Sequence, residues 1–243
     1  GVVQNTGANT NVVSANFSTT ASSGNVGVSA SNACGSSSIT TLAITVNPLP
    51  TQASIISGTN TVCQGVNSVT YIANNLNNGL SYTWSTPNGC NIISGLNTKT
   101  ITVNYDNSST SGIMSVYGTN GCGDGATKNK AITVNPLPDA AGIISGSTSN
   151  NVCPLSTNIN YSITPVANAT SYTWLYPSGY SVSGGANTNS IFLDASLNAS
   201  NGVIKVVGTN ACGAGDTSSV LNVNIAGLPT QQICVVTVDS SSV

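Results

Sequence analysis

Seven cysteines, two tryptophans and ten charged side chains carry whatever chemistry this 243-residue chain performs. The charges are Lys99, Lys128, Lys130 and Lys205 against Asp106, Asp124, Asp139, Asp194, Asp216 and Asp239, and His, Arg and Glu are absent. Without those three residue types there is no Ser-His-Asp or Cys-His nucleophile system, no His-containing zinc site and no arginine clamp for phosphate. The composition points away from an enzyme and offers no catalytic residue, no cofactor site and no metal site. Four lysines at a net charge of -2 give no phosphate-neutralising surface, so nucleic acid is not an expected partner. Membrane insertion is not expected either, because no stretch approaches the roughly 18 consecutive apolar residues of a spanning helix.

The cysteines are regularly spaced. Cys63, Trp84 and Cys122 stand as Cys-x20-Trp-x37-Cys, and Cys153, Trp174 and Cys212 repeat both separations. Equal spacing in two copies predicts the disulfides Cys63–Cys122 and Cys153–Cys212. Each would close a loop of about 60 residues and contribute about 3–4 kcal/mol on the chain-entropy model. Such bonds belong to an oxidising, extracytoplasmic compartment. A metal site is the competing reading, but two thiols per copy fall short of the four ligands of structural zinc. Cys34 aligns with Cys122, so its partner is expected upstream of Gly1, and Cys234 is expected to pair beyond Val243. Cys90 aligns with Tyr180 and Val2 and reads as a buried free thiol, with a reactive thiol as the alternative.

Tyr82 and Trp84 lie two apart on one strand and share a face, as do Tyr172 and Trp174. The expected role is a core tryptophan facing an opposite sheet; the alternative is an exposed platform, Trp84 and Trp174, that stacks on sugar rings. Asp124 and Asp216 sit in Gly-rich loops just after a cysteine. Calcium is a possible ligand there, but no D-x-D-x-D spacing supports it, and lone turn aspartates usually bond their own backbone.

These residues are positioned by an internal repeat. Ile55-Ile56-Ser57-Gly58 returns as Ile143-Ile144-Ser145-Gly146, Ser81-Tyr82-Thr83-Trp84 as Ser171-Tyr172-Thr173-Trp174, and Gly118-Thr119-Asn120-Gly121-Cys122-Gly123 as Gly208-Thr209-Asn210-Ala211-Cys212-Gly213. The period is 88 to 90 residues, one small domain. Residues 1–47 align with the second half of a repeat, Phe17 falling on Tyr105 and Cys34 on Cys122. Residues 48–135 and 136–227 are whole repeats, and 228–243 begin a β-module of another kind. Both ends thus read as cut from a longer protein. Asn, Ser and Thr number 33, 36 and 30, together 99 of the 243 residues, while Ile101, Val103 and Tyr105 alternate with polar neighbours. This describes short strands with one buried face, and seven or so per repeat make a two-sheet sandwich. Val46-Asn47-Pro48-Leu49-Pro50 and Val134-Asn135-Pro136-Leu137-Pro138 mark the boundaries, since proline cannot extend a ladder, and so short a two-proline hinge restricts bending.

The string Leu137 to Gly146, Val152-Cys153, Ser171 to Gly179 and Gly208 to Gly213, with its counterparts one repeat earlier, resembles the PKD-like, immunoglobulin-like repeats of Bacteroidota surface proteins. The resemblance covers residues 1 to about 229. It implies an all-β chain of tandem Ig-like or PKD-like β-sandwich domains. It also implies a role as stalk or spacer in a large secreted or cell-surface adhesin, of the gliding-motility type, exported by the type IX secretion system. Partners would then be that machinery and a surface polysaccharide or protein bound by other parts of the parent. The alternatives are a lectin-like carbohydrate- or protein-binding module and an accessory region of a secreted enzyme. The chain departs from ordinary PKD domains in replacing Trp-x-Phe-Gly-Asp-Gly by Trp84-Ser85-Thr86-Pro87-Asn88-Gly89.

Overall fold

The computed structural model describes residues 1–7, 9–146 and 151–227; the β-module expected at 228–243, with Cys234, lies outside them. Every regular element among the described residues is a β-strand. The chain divides into two compact units that part between Asn135 and Pro136.

Residues 1–47 form β1 (Val2–Thr6), β2 (Ser14–Phe17), β3 (Gly24–Val28), β4 (Ser31–Asn32), β5 (Gly35–Ser36) and β6 (Thr40–Ile44), paired antiparallel as β1 with β2, β3 with β6 and β4 with β5. Val13, Phe17, Val26 and Val28 are 51, 48, 42 and 62 % exposed, whereas the aligned Ile101, Tyr105, Met114 and Val116 are at 0, 1, 0 and 0 %. The cause is the alignment itself. Residues 1–47 hold inner-face side chains but no counterpart of the strands that cover them in a whole repeat.

The first whole repeat contains β7 (Ile56–Ser57), β8 (Thr61–Cys63), β9 (Val69–Ala73), β10 (Ser81–Ser85), β11 (Cys90–Ser94), β12 (Thr100–Tyr105), β13 (Gly112–Asn120), β14 (Gly123–Asp124) and β15 (Lys128–Asn135). They make two sheets, β11-β12-β9-β7 and β10-β13-β15-β8, with β14 folded onto β13. Alternation drives the burial: β12 turns Ile101, Val103 and Tyr105 inward, and β13 does so with Met114 and Val116. Such period-2 faces pack only when a second sheet closes over them. The opening strand is split between the sheets, β7 antiparallel to β9 and β8 parallel to β15. Gly58, at φ 127°, permits the crossing, because a Cβ there would strike the Tyr71 ring.

The second repeat contains β16 (Ser145–Gly146), β17 (Asn151–Val152), β18 (Ile159–Ser162), β19 (Ser171–Leu175), β20 (Tyr180–Gly184), β21 (Ser190–Ala195), β22 (Gly202–Asn210), β23 (Gly213–Ala214) and β24 (Leu221–Ile225). Its sheets are β16-β18-β21-β20 and β17-β24-β22-β19, with β23 on β22. One exchange separates the two cores. In the first, Cys90 on β11 faces Tyr105 on β12; in the second, Tyr180 on β20 faces Ala195 on β21. The large ring therefore comes from opposite strands of the same cross-strand pair. Tyr105 Oη lies 2.9 Å from Tyr71 Oη, whereas Tyr180 Oη is buried without a hydrogen-bond partner among the described residues.

Candidate functional site

The sequence motifs converge on the two ends of a repeat rather than on a cleft. At the head, where the chain comes in, sits the Gly-Thr-Asn-x-Cys-Gly turn between β13 and β14. Asn120 uses its whole amide there. Its Nδ2 donates to the carbonyls of Pro48 and Asn78, both at 2.9 Å, and its Oδ1 accepts the Cys122 N–H at 2.8 Å. Asn210 repeats the arrangement, donating to Pro136 and Asn168 at 2.9 Å each and accepting from Cys212 N–H at 2.8 Å. In residues 1–47 the backbone part survives, with Cys34 N–H donating to Asn32 Oδ1 at 2.9 Å. A carboxamide offers two donors and an acceptor in one plane, which explains why this position is Asn in all three copies.

The clamp shows that the Pro-Leu-Pro segment belongs to the repeat that follows it. Pro50 and Pro138 are buried. A Cβ on Gly118 would approach the Pro50 ring to 3.0 Å, and one on Gly125 would meet the Pro50 carbonyl oxygen. The second repeat reproduces this with Gly208 and Gly215 against Pro138. These glycines keep β13, β22 and their turns close enough for the incoming chain to lie on them.

At the tail, where the chain leaves, Cys63 ends β8 opposite Asn135 on β15. Cys153 directly follows β17, whose Val152 lies opposite Ile225 on β24. The disulfides expected within each repeat are not formed. Cys122 and Cys153 are exposed free thiols, while Cys63 and Cys212 are each held in a disulfide. Topology gives the reason. Cys122 lies beyond Asn120, eight residues along β13 from Gly112, which faces Ile132; at about 3.3 Å per residue that is about 26 Å. Cys63 lies beyond Ile132 in the opposite direction, at the level of Asn135. Bridged cysteines need Cα atoms within about 7 Å. The equal spacing in sequence reflects duplication, not pairing.

The platform reading of the tryptophans also fails. Trp84 and Trp174 are each 8 % exposed. Their Nε1 groups donate to the carbonyls of Thr98 and Thr188, both at 2.9 Å. These threonines close the β11–β12 and β20–β21 hairpins, so each indole ties one sheet to the hairpin of the other. Cys90 is a buried free thiol, its pKa pushed up chiefly by burial and pulled back by the Tyr105 hydroxyl; this opposes thiolate reactivity. The Asp124 carboxylate accepts the Thr119 hydroxyl at 2.8 Å, and among the described residues no three metal-ligating side chains cluster. The role of Asn120 and Asn210 escaped the sequence reading, although Asn two residues before Cys and Gly one after it, in three copies, was the available signal.

The PKD-like domain family is matched over residues 49–134 and 137–223, more than half of the chain. Solved structures with a similar arrangement include the titin I-band fragment I67–I69, at 12 % identity and a TM-score of 0.43, covering 84 % of this chain and 75 % of that one. Chicken CNTN1 domains FN1–FN3 match at 16 % identity and a TM-score of 0.31, covering 81 % and 73 %. Murine CEACAM1b matches at 13 % identity and 0.32, covering 73 % and 100 %. Comparison with curated proteins gave no match.

Proposed function

We propose, because the chain belongs to the PKD-like domain family, that its repeats are spacer units of a large secreted or cell-surface adhesin and carry no catalysis of their own. One observation supports this above the others. Both whole repeats fasten their incoming chain with the same three Asn hydrogen bonds and the same buried proline. What has been preserved between copies is the framework and its junction, as in a serially extended stalk. The two tryptophans, which a lectin-like stacking site would most readily use, are buried in the two cores.

Export by the type IX system, residence at the cell surface and membership of a gliding-type adhesin are part of the proposal. That Cys63 and Cys212 are held in a disulfide supports an oxidising compartment. The test is a binding screen of the oxidised chain against polysaccharides and surface proteins. The spacer reading expects no specific ligand. A specific ligand whose binding survives in the folded chain and is lost on substitution of exposed residues would make this a binding module instead.

A further inference from the structure

Asn followed by Gly occurs four times, at Asn78-Gly79, Asn88-Gly89, Asn120-Gly121 and Asn201-Gly202. Such a pair is open to attack of the glycine nitrogen on the asparagine carboxamide, because glycine has no Cβ to hinder the approach. The reaction needs a carboxamide free to swing back over its own backbone and a glycine N–H that is not otherwise engaged. The fold withholds that freedom at three of the four pairs. Asn120 has its carboxamide bound on both sides, by the carbonyls of Pro48 and Asn78 and by Cys122 N–H. Asn201 Oδ1 accepts Ile225 N–H at 2.6 Å. Asn78 stands at φ 62°; its carbonyl is gripped by Asn120 Nδ2, and Leu80 N–H, two residues on, donates to the Thr119 carbonyl at 2.9 Å. The peptide between Asn78 and Gly79 therefore cannot turn without breaking the head clamp.

Asn88 is placed differently. It is exposed in the turn Pro87–Cys90, which Cys90 N–H closes on the Pro87 carbonyl at 3.1 Å. Neither its carboxamide nor the Gly89 N–H has a hydrogen-bond partner among the described residues. Its main-chain oxygen is held by Thr110 N–H at 3.2 Å. The second repeat has Ser178-Gly179 at this place, and Asn168-Ala169 and Asn210-Ala211 where the first has Asn78-Gly79 and Asn120-Gly121.

We propose that Asn88 is a site of spontaneous deamidation in the folded chain, through which the first repeat ages and the second does not. Gly89 N attacks Asn88 Cγ and a ring C–N bond forms. The Cγ–Nδ2 bond breaks, and Nδ2 leaves as ammonia with the proton that Gly89 gives up. Water then opens the ring at Cγ, giving aspartate, or at the main-chain carbonyl, giving isoaspartate; one water is consumed, one ammonia released, and nothing is oxidised or reduced. Either product disturbs the turn. The Gly89 carbonyl accepts Asp106 N–H at 3.1 Å and the Ser109 hydroxyl at 2.8 Å, and a Cβ on Gly89 would lie 2.7 Å from Asp106 Oδ1. Aspartate at 88 adds a negative charge next to that glycine, and isoaspartate adds a methylene to the backbone of a four-residue turn. The inference stands whether or not the repeats are spacers.

The chain is held in warm, mildly alkaline buffer, folded or in guanidinium, then reduced and digested. Trypsin cuts after the four lysines, placing Asn78 and Asn88 in residues 1–99, Asn120 in 100–128 and Asn201 in 131–205. In the folded chain only 1–99 is expected to become heavier, by about one dalton as NH2 is replaced by OH; in guanidinium all three peptides should gain. Asn88→Ser, the residue of the second repeat, removes the gain from the folded chain, whereas Gly79→Ala, also copied from the second repeat, leaves it. Circular dichroism confirms the fold of each variant. In a Trp174→Phe background, the Trp84 unfolding midpoint of the converted chain should fall below that of the fresh chain. A gain in 100–128 or 131–205 as fast as in 1–99 of the folded chain, a gain that survives Asn88→Ser, a folded chain that stays unchanged while the denatured one reacts, or an unmoved Trp84 midpoint would each overturn the proposal. None of these outcomes depends on whether a ligand is found in the binding screen.

Discussion

Removing one oxygen atom should have opposite effects in the two repeats. Tyr180 Oη is buried without a partner, and a stranded buried hydroxyl costs about 1–3 kcal/mol. Tyr180→Phe deletes that oxygen and keeps the ring, so the second repeat should gain about 1–2 kcal/mol. Tyr105→Phe, in the facing position of the first repeat, breaks the 2.9 Å bond to Tyr71 Oη and strands that hydroxyl in turn, a loss of about 1–2 kcal/mol. Each repeat has a single tryptophan, so guanidinium unfolding followed by fluorescence can be read separately, from Trp174 in a Trp84→Phe background and from Trp84 in the converse. With a slope of about 3 kcal/mol per M for a domain of this size, the midpoint should rise by about 0.3–0.7 M for Tyr180→Phe and fall by about as much for Tyr105→Phe. The exchange can also be transplanted. Tyr180→Cys alone opens a cavity and Ala195→Tyr alone overpacks, about 2–3 kcal/mol each, whereas the double variant rebuilds the pair of the first repeat and should recover most of the loss. A lower midpoint for Tyr180→Phe would refute the reasoning, because it would mean that the hydroxyl is served after all.

Asn210→Asp turns both donors at the second head toward acceptors, leaving the Pro136 and Asn168 carbonyls facing a carboxylate; a loss of about 2–3 kcal/mol in the Trp174 transition is expected, and a loss no larger than that of Asn222→Asp, on an exposed position, would discount the clamp. Gly185→Ala should cost more than about 2 kcal/mol, since the residue stands at φ 72° and an added Cβ would fall on the Ser190 carbonyl oxygen; thermal unfolding checks it. Tyr161 is pushed up to about 12 by burial and by neighbouring Tyr180, which is itself raised by burial. An acid with a raised folded pKa holds its proton longer in the folded state, so its contribution is intact below about pH 10 and is lost as the pH climbs from 10 toward 12. Circular dichroism should therefore show the second repeat weakening across that window, with tyrosinate absorbance from these rings appearing together with unfolding; full absorbance in a folded chain at pH 10 would contradict this.

The sandwich, its repeat and the inward tryptophans were legible because alternation has a period of two and duplication preserves it. Tyr82 and Trp84 share a face whatever the rest of the chain does. Other features depend on register, which no single stretch of sequence contains. The differences at 90/180 and 105/195 are visible in an alignment of the repeats, but that each pair faces across two strands emerges only from the pairing of β11 with β12 and of β20 with β21. Proline was read correctly as the end of a closing strand, yet its contacts with Gly118 and Gly125 lie some 70 residues downstream. The cysteine spacing misled for a different reason. Two copies of any domain keep equal separations between equivalent residues, so agreement between copies carries no information about which sulfur meets which.

The split opening strand has a mechanical consequence. Pulling a repeat by its two ends draws on the chain at Pro48 and at Asn135. Because β8 runs parallel to β15, such a load slides the two strands along one another instead of peeling them apart. The rungs Thr61–Thr133, Val62–Val134 and Cys63–Asn135, with the flanking bonds from Thr133 N–H to Asn60 and from Gln64 N–H to Asn135, are then loaded together and must yield together. An antiparallel hairpin opened at its end gives way one bond at a time. A repeat built in this way resists tension at its ends more than its modest size suggests, and a bulge or proline placed in β8 would remove that resistance while leaving most of the core in place.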